Sequence, residues 1–347
     1  MKPSELSNLS RMDDIVHAFP KQFTEGYEAA GDAGSAFASR QFEHIIIAGM
    51  GGSALAGNVL RTVSKDIGLG LPVIVHRDYH LPIAPQRENA LVVVMSYSGN
   101  TEEALDAYEH AQHMKLPTVV ITSGGALKEY AERDMVALAL IPSGLQPRFA
   151  LGYQFSALLA VLANAGILPS QKEALASMAD KLHVEGAEEQ ARTISEQIGK
   201  NTPLFYASQK YHSVAYILKI QMNENAKVQA FSNIFPELNH NEMMGHVSEQ
   251  KNSFTTIILR SEDDDERIRQ RMDLTADIIR EHGGTVLTLD ITGEDCYSKV
   301  FNTVLIGSWM SLQLAEANGV DPGPVAAVED FKNRLRAMRE QSGSTPV

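Results

Sequence analysis

The sequence predicts an α/β protein of two similar domains, each a mainly parallel sheet flanked by helices. Three observations predict it. Short continuous runs of Val, Ile and Leu alternate with stretches of helical period, the pattern of strands buried on both faces by crossover helices. That alternation breaks once, at a polar stretch over 169–201, and then resumes. The chain has 347 residues, enough for two domains. The expected division is 1–168, a helical connector 169–201, and 202–347.

The elements follow in order. HIIIAGMGGSALAGNVL (44–60) is a strand running into a helix, and LPVIVHRD (71–78) is a second strand. ALVVVMSYSGNTEEALDAYEHA (90–111) is strand into helix again. LPTVVITS (116–123) leads to the helix GGALKEYAERD, and MVALALIP (135–142) is the last strand of the first half. LGYQFSALLAVLANAGIL (151–168) is strongly apolar. Gln154, Ser156 and Asn164 interrupt it, so it reads as a buried helix and not a membrane span. In the second half, strands are expected at 202–208, 253–261 and 285–291, with helices at 211–231, after the acidic run that begins at Glu262, and at 297–319.

Composition narrows the function. Forty-three acidic side chains against 30 basic ones give a net charge of −13, which argues against a nucleic-acid partner. A small anionic ligand is still allowed, because a pocket can be positive in an acidic protein. Cys296 is the only cysteine, so no internal disulfide is expected, and a reducing compartment fits. The first 20 residues are polar and lack the apolar core of a signal peptide. A cytoplasmic protein with no membrane association is the expectation.

Two turns carry chemistry. SYSGNTEE (96–103) places Ser96, Ser98 and Thr101 around Gly99 where a strand becomes a helix. A helix start offers unpaired N–H groups and the positive end of its dipole, which suit an anion. Thr101 followed by Glu102 and Glu103 is also a sound N-cap, but a cap uses one hydroxyl of three. Taken alone, the motif is open between these readings. GMGGSALAG (49–57), with Gly52 and Ser53 at its helix start, is a second such turn and favours the anion. Gly49, Gly51 and Ala54 also fit a dinucleotide fingerprint, with Asp78 closing the next strand. Asp78 lies too far along the chain, and a dinucleotide leaves the three hydroxyls idle. The matching strand of the second half runs into SEDDDER (261–267), which cannot cradle an anion.

GMGGSALAG, SYSGNTEE, PRFALGY, NENAK and ELNHNEMMG occur in this order between 49 and 245. Together they resemble the bifunctional phosphoglucose/phosphomannose isomerases, built from two sugar isomerase (SIS) domains. The C-terminal GVDPGPVAAVEDFKNRL is similar too. One departure is MMGH at 243–246, where the family pattern carries a more apolar residue followed by tryptophan.

The resemblance implies two SIS-type domains and metal-independent interconversion of glucose 6-phosphate and fructose 6-phosphate through an enediol. Mannose 6-phosphate is implied as a second aldose, with no cofactor and a homodimeric assembly. Gly52, Ser53, Ser96, Ser98 and Thr101 would hold the sugar's 6-phosphate. Moving a proton between C1 and C2 needs a base, and the resemblance assigns it to Glu224. By pattern alone, Glu224 reads more simply as a helix glutamate paired with Lys227 at i+3. Arg148 would offset the enediolate charge, though alone it reads as a linker salt bridge. His240, read as a loop residue among Pro, Asn and Gly, would exchange protons during ring opening. Lys332 would act with it at the ring oxygen; otherwise it is a surface lysine on an amphipathic helix. His240 and His246 are six residues apart and no H-E-x-x-H occurs, so a metal pair is not expected. The rival readings are a sugar-phosphate sensor without catalysis, an isomerase of another sugar phosphate such as an aminosugar, and a dinucleotide-dependent dehydrogenase. No helix-turn-helix is seen in the first 40 residues, and no N-terminal cysteine nucleophile, which weighs against the first two.

Overall fold

A computed structural model describes residues 12–82, 87–247 and 253–341. The first eleven residues, part of the segment read as no signal peptide, lie outside it. Two short helices, α1 (Met12–His17) and α2 (Lys21–Ala29), precede the first sheet. Its strands are β1 (His44–Ala48), β2 (Val73–His76), β3 (Ala90–Ser96), β4 (Thr118–Thr122) and β5 (Ala137–Leu140). They lie in the order β2-β1-β3-β4-β5, and every pairing is parallel. Helices α3 (Gly51–Val63), α4 (Glu102–His113) and α5 (Gly125–Arg133) make the crossovers. β1, β3 and β4 are buried along their whole length, as their unbroken apolar runs require.

The predicted apolar helix forms as α6 (Leu151–Asn164), buried from Leu151 to Leu162. Among the described residues no helix is long and apolar enough to cross a membrane. The polar stretch becomes two helices, α7 (Lys172–Lys181) and α8 (Val184–Ile198), each with one buried apolar stripe. The second sheet holds β6 (Thr202–Ser208), β7 (Phe231–Phe235), β8 (Phe254–Arg260) and β9 (Thr285–Asp290). Their order is β7-β6-β8-β9, again wholly parallel.

The second half departs from expectation at 211–231. The single helix expected there is α9 (His212–Gln221), followed by a π-helical turn (Met222–Ala226). Lys227 then takes a left-handed backbone (φ 56°) and ends it. β7 follows and was not legible as a strand. It is an edge strand, and its FSNIF carries one aliphatic side chain, so no continuous apolar run marks it. The segment after β7 is also not a loop. It forms two single-turn helices, α10 (Leu238–Asn241) and α11 (Met243–His246), with Leu238 buried beneath. Helices α12 (Glu266–Glu281), α13 (Cys296–Ala317) and α14 (Ala326–Gln341) complete the chain.

One hydrophobic core runs through both sheets. It takes in Ile45 and Val93 of the first, Ile257 and Leu259 of the second, and α6 and α13 between them. Phe301 of α13 is its middle, with ring centroids 4.5 Å from Phe23 and 5.3 Å from Phe155. Two smaller clusters cover the outer faces of the sheets, one under α4 and α5 and one under α10 and α12.

Candidate active site

In an open parallel sheet the ligand crevice lies at the carboxyl ends of the strands, where the strand order reverses. Here that point is between β1 and β3, which are neighbours. The two glycine- and serine-rich turns stand at the ends of these two strands. Gly99 takes φ 69°, and a β-carbon there would collide with the Gly124 carbonyl oxygen, so only glycine fits.

The hydroxyls divide into buried braces and more exposed groups, of which Ser98 Oγ accepts from Asn100 N at 3.3 Å. Ser53 is buried, and its Oγ accepts from Tyr97 N at 2.9 Å. Ser96, also buried, accepts from Gly99 N (3.1 Å) and donates to Thr101 Oγ1 (3.0 Å). Tyr97 anchors the turn by donating to Pro142 O (2.9 Å), and burial pushes its phenol up to about 12. Ser98 is exposed and Thr101 half-buried. Thr101 is the N-cap of α4, yet its side chain makes no cap bond, and Met50, the N-cap of α3, makes none either. A plain cap is therefore not what Thr101 does. The helices after β8 and β9 contrast with these. Asp265 caps α12, and Asp295 with Ser298 forms a capping box on α13. The helices after β1 and β3 start without a side-chain cap, as an anion site requires, whereas those after β8 and β9 are closed by their own carboxylates.

Arg148 sits in a turn of 3₁₀-helix (Pro147–Phe149) just before α6. Gly52 lies directly against it. A β-carbon on Gly52 would stand 2.8 Å from the Pro147 carbonyl carbon and 3.0 Å from Arg148 N. The Arg148 side chain is only 2% exposed. Its fork is used in three directions: Nε donates to Asn225 Oδ1 (2.5 Å), Nη1 to Glu224 Oε2 (3.2 Å), and Nη2 to the carbonyls of Pro322 (2.7 Å) and Gly323 (3.0 Å). Burial pulls its pKa below the usual guanidinium value, and Glu224 opposes that shift. The group stays charged in the neutral range.

Glu224 projects from the π-helical turn, a distortion frequent at functional sites. Its carboxylate pairs with Arg148 and not with Lys227, because the turn aims Lys227 elsewhere. Lys227 Nζ donates to the main-chain carbonyls of Glu224 (2.5 Å) and Pro324 (2.6 Å). Burial, and then the Arg148 charge, lower the Lys227 pKa. The Glu224 side chain is one-third exposed, so one face of the carboxylate is open. Asn225 was not singled out from the sequence. It is fully buried and bonds Ser311 of α13 through Nδ2 (2.8 Å) while accepting from Arg148. The clue was the polar run NEN closing an otherwise apolar helix.

The structure brings Arg148, Glu224 and the two turns together. It does not join His240 or Lys332 to them within the chain. His240 is exposed on α10, and its ring has no hydrogen-bond partner among the described residues. Lys332 is exposed on α14, as expected of an amphipathic surface helix. The departure at 243–246 has a local explanation. His246 Nε2 bonds the Tyr206 hydroxyl at 2.8 Å, and that hydroxyl donates to Glu242 (2.5 Å). The imidazole stacks edge-on against Tyr206 with centroids 5.8 Å apart and so fixes α11 beside α10.

Comparison with known proteins agrees with this geometry. Residues 40–163 match the SIS domain, and residues 187–335 match the bacterial phospho-glucose isomerase C-terminal SIS domain. A bifunctional phosphoglucose/phosphomannose isomerase of Caldicellulosiruptor bescii is 34% identical over 341 residues, covering 95% of this chain and all of the relative. One from Thermoplasma acidophilum is 36% identical, covering 86% of this chain and 92% of its own. A D-glucosamine-6-phosphate 4-epimerase of Sulfolobus acidocaldarius is 36% identical over 65% of this chain and 71% of its own. Among solved structures, the C-terminal domain of glucosamine-fructose-6-phosphate aminotransferase from Francisella tularensis superposes with a TM-score of 0.70 at 16% identity, covering 92% of this chain and 99% of that one. That likeness is one of fold. Two parallel sheets with open helix starts in the first half, an arginine–glutamate pair between the halves, and full-length relatives of one kind place the chain in the bifunctional phosphoglucose/phosphomannose isomerase family.

Proposed function

We propose that this protein interconverts glucose 6-phosphate and fructose 6-phosphate, and mannose 6-phosphate with fructose 6-phosphate, by an enediol mechanism that uses no metal or cofactor. The Arg148–Glu224 pair carries the reading. A carboxylate with one open face can take the C2 proton of an aldose and return it at C1. A buried, fixed guanidinium beside it offsets the charge that develops on the enediolate oxygens. Ser98, Thr101 and the uncapped starts of α3 and α4 support a 6-phosphate at one end of the same crevice. Glucose and mannose differ only at C2, which is planar in the enediol, so one base serves both if the pocket lets the C2–C3 bond rotate. The decisive assay is coupled turnover of glucose, mannose and glucosamine 6-phosphates on metal-stripped enzyme. Turnover of the aminosugar alone, or activity restored only by zinc, would replace this reading with another.

The anion site has its own test. Ser98→Ala and Thr101→Ala should raise KM for sugar phosphates with little change in kcat, since they remove contacts present in ground and transition state alike. Unchanged KM in both would reduce the hydroxyls to braces of the turn.

The working unit is a homodimer in this reading. α14 presents Val328, Phe331, Leu335 and Met338 on one exposed face, with Phe331 64% and Met338 69% exposed. A second copy covering that stripe would also bring Lys332 into an interface. His240, whose ring has no hydrogen-bond partner among the described residues, would complete the site of the neighbouring subunit for ring opening, with Lys332 acting beside it at the ring oxygen. Subunit exchange tests this directly. Mixing inactive Glu224→Gln with inactive His240→Ala, after dissociation and reassociation, puts both defects in one site of each mixed dimer and none in the other. Half of the dimers are mixed, so activity should return to about one quarter of wild type. An equimolar mixture that stays inactive after complete exchange would put His240 in its own subunit's site or outside catalysis.

A further inference from the structure

A second cavity, of about 450 Å³, opens between the two halves away from the Arg148–Glu224 pair. It is lined by Asn58 and Arg61 of α3, Arg77 after β2, Lys210, and His212 and Tyr216 of α9. Arg61 lies nine residues beyond Gly52 on α3, about 14 Å along the helix axis. Tyr216 lies five residues before the end of α9 at Gln221, about 7.5 Å along its axis, and Glu224 follows in the π-helical turn. α3 and α9 therefore reach from one site to the other, and the hydroxyls of Thr62 and Ser213 bond each other between them.

The charge in this cavity is unbalanced. Lys210 is tied to Asp66 (3.5 Å) and Asp263 (3.4 Å) and adds little. Arg61 and Arg77 have no carboxylate partner among the described residues. Arg77 Nε is buried without a hydrogen-bond partner, and its Nη2 has only a long contact of 3.4 Å to the Ala54 carbonyl. Its guanidinium carbon stands 5.8 Å from the centroid of the Tyr216 ring, and Lys219 Nζ stands 5.6 Å from the same ring. Burial first, and then the charges of Arg61 and Arg77, hold His212 below the ordinary imidazole value. Two uncompensated guanidiniums converging on one cavity are unusual in a chain of net charge −13. A guanidinium fork matches phosphate oxygens bidentately, and an orphaned buried donor gains most from such a partner.

We propose that this cavity binds a multivalent phosphate-class anion, a phosphorylated small molecule larger than orthophosphate, held by Arg61 and Arg77 from the first half and His212 from the second. The volume suits such a ligand. Because its contacts come from both halves, the bound anion stabilises their packing and raises the melting temperature.

The probe is inorganic pyrophosphate, titrated calorimetrically in phosphate-free buffer with saturating fructose 6-phosphate present. Wild type should bind about one pyrophosphate per chain under these conditions and melt at higher temperature as it does. Arg61→Gln/Arg77→Gln should weaken binding at least about tenfold. Asn58→Asp keeps the side-chain size and sets a carboxylate against the guanidiniums, so it should weaken binding too, and it serves if the double variant folds poorly. Ser98→Ala/Thr101→Ala should bind pyrophosphate as wild type does, which separates this site from the substrate's whether or not isomerase activity is found. No binding to wild type, or binding unaffected by both Arg61→Gln/Arg77→Gln and Asn58→Asp, overturns the proposal.

Discussion

Glu224→Gln should lower kcat by about 100- to 10,000-fold, the range for loss of a general base. Binding should survive. The amide keeps the length of the side chain and can still accept from Arg148 Nη1, which now bonds the carboxylate at 3.2 Å. The uncapped helix starts that would hold the phosphate lie on other elements, so KM should move little. The sharper observable is exchange of the substrate's C2 proton with solvent, followed by NMR. It should fall in step with turnover, because the same group removes that proton. A variant that keeps most of its exchange would move the base elsewhere, though not to Glu242, whose oxygens Tyr206 and Asn233 already occupy.

Arg148→Met should reduce both stability and turnover, and Arg148→Lys should separate the two. Methionine fills the volume but leaves Asn225 Oδ1, Glu224 and two backbone carbonyls without their donors. Removing one partner of a buried charge pair costs about 3–5 kcal/mol. At this chain length that is a fall of several degrees in Tm. Lysine keeps the charge but cannot reach three directions at once. It should fold better than the methionine variant yet still lose about 100- to 1,000-fold in kcat, the scale for removing one preorganised stabiliser of a developing oxyanion. Calorimetry and steady-state kinetics on the pair decide it. If Arg148→Lys matched wild-type kcat, the arginine would be a structural tie between the halves and no more.

The fold was legible wherever burial dictated composition. β1, β3, β4 and α6 are covered on all sides, so their residues had to be apolar and contiguous. β7 was not legible because an edge strand half open to water needs no such run, and the helical pattern before it runs on through Lys227 in the sequence. The candidate site was legible in part for a similar reason. Glycines and hydroxyls at two strand ends raise the expectation of an anion, and the structure sets those two turns side by side, with Ser53 bonded to Tyr97 N. The partner of Glu224 was not legible. Spacing favoured Lys227, and only the π-helical turn redirects the lysine to backbone carbonyls and leaves the carboxylate to Arg148, 76 positions away. Asn225 escaped notice because its role is to hold Arg148, and nothing in its own neighbourhood of sequence states that.

The shared core around Phe301 has a consequence for how a sugar enters and turns over. Enzymes that close on their substrates by swinging two lobes need a loosely packed boundary, and packed interiors do not yield by degrees. Here rings from α2, α6 and α13 interlock along that boundary. On this packing the two halves are expected to hold their relative position as a substrate arrives. A mobile molecule in a stationary mould must supply its own adjustment. Under the proposed enediol mechanism, discrimination between epimers would then rest on how freely the opened sugar chain can twist about its C2–C3 bond, more than on any give in the protein.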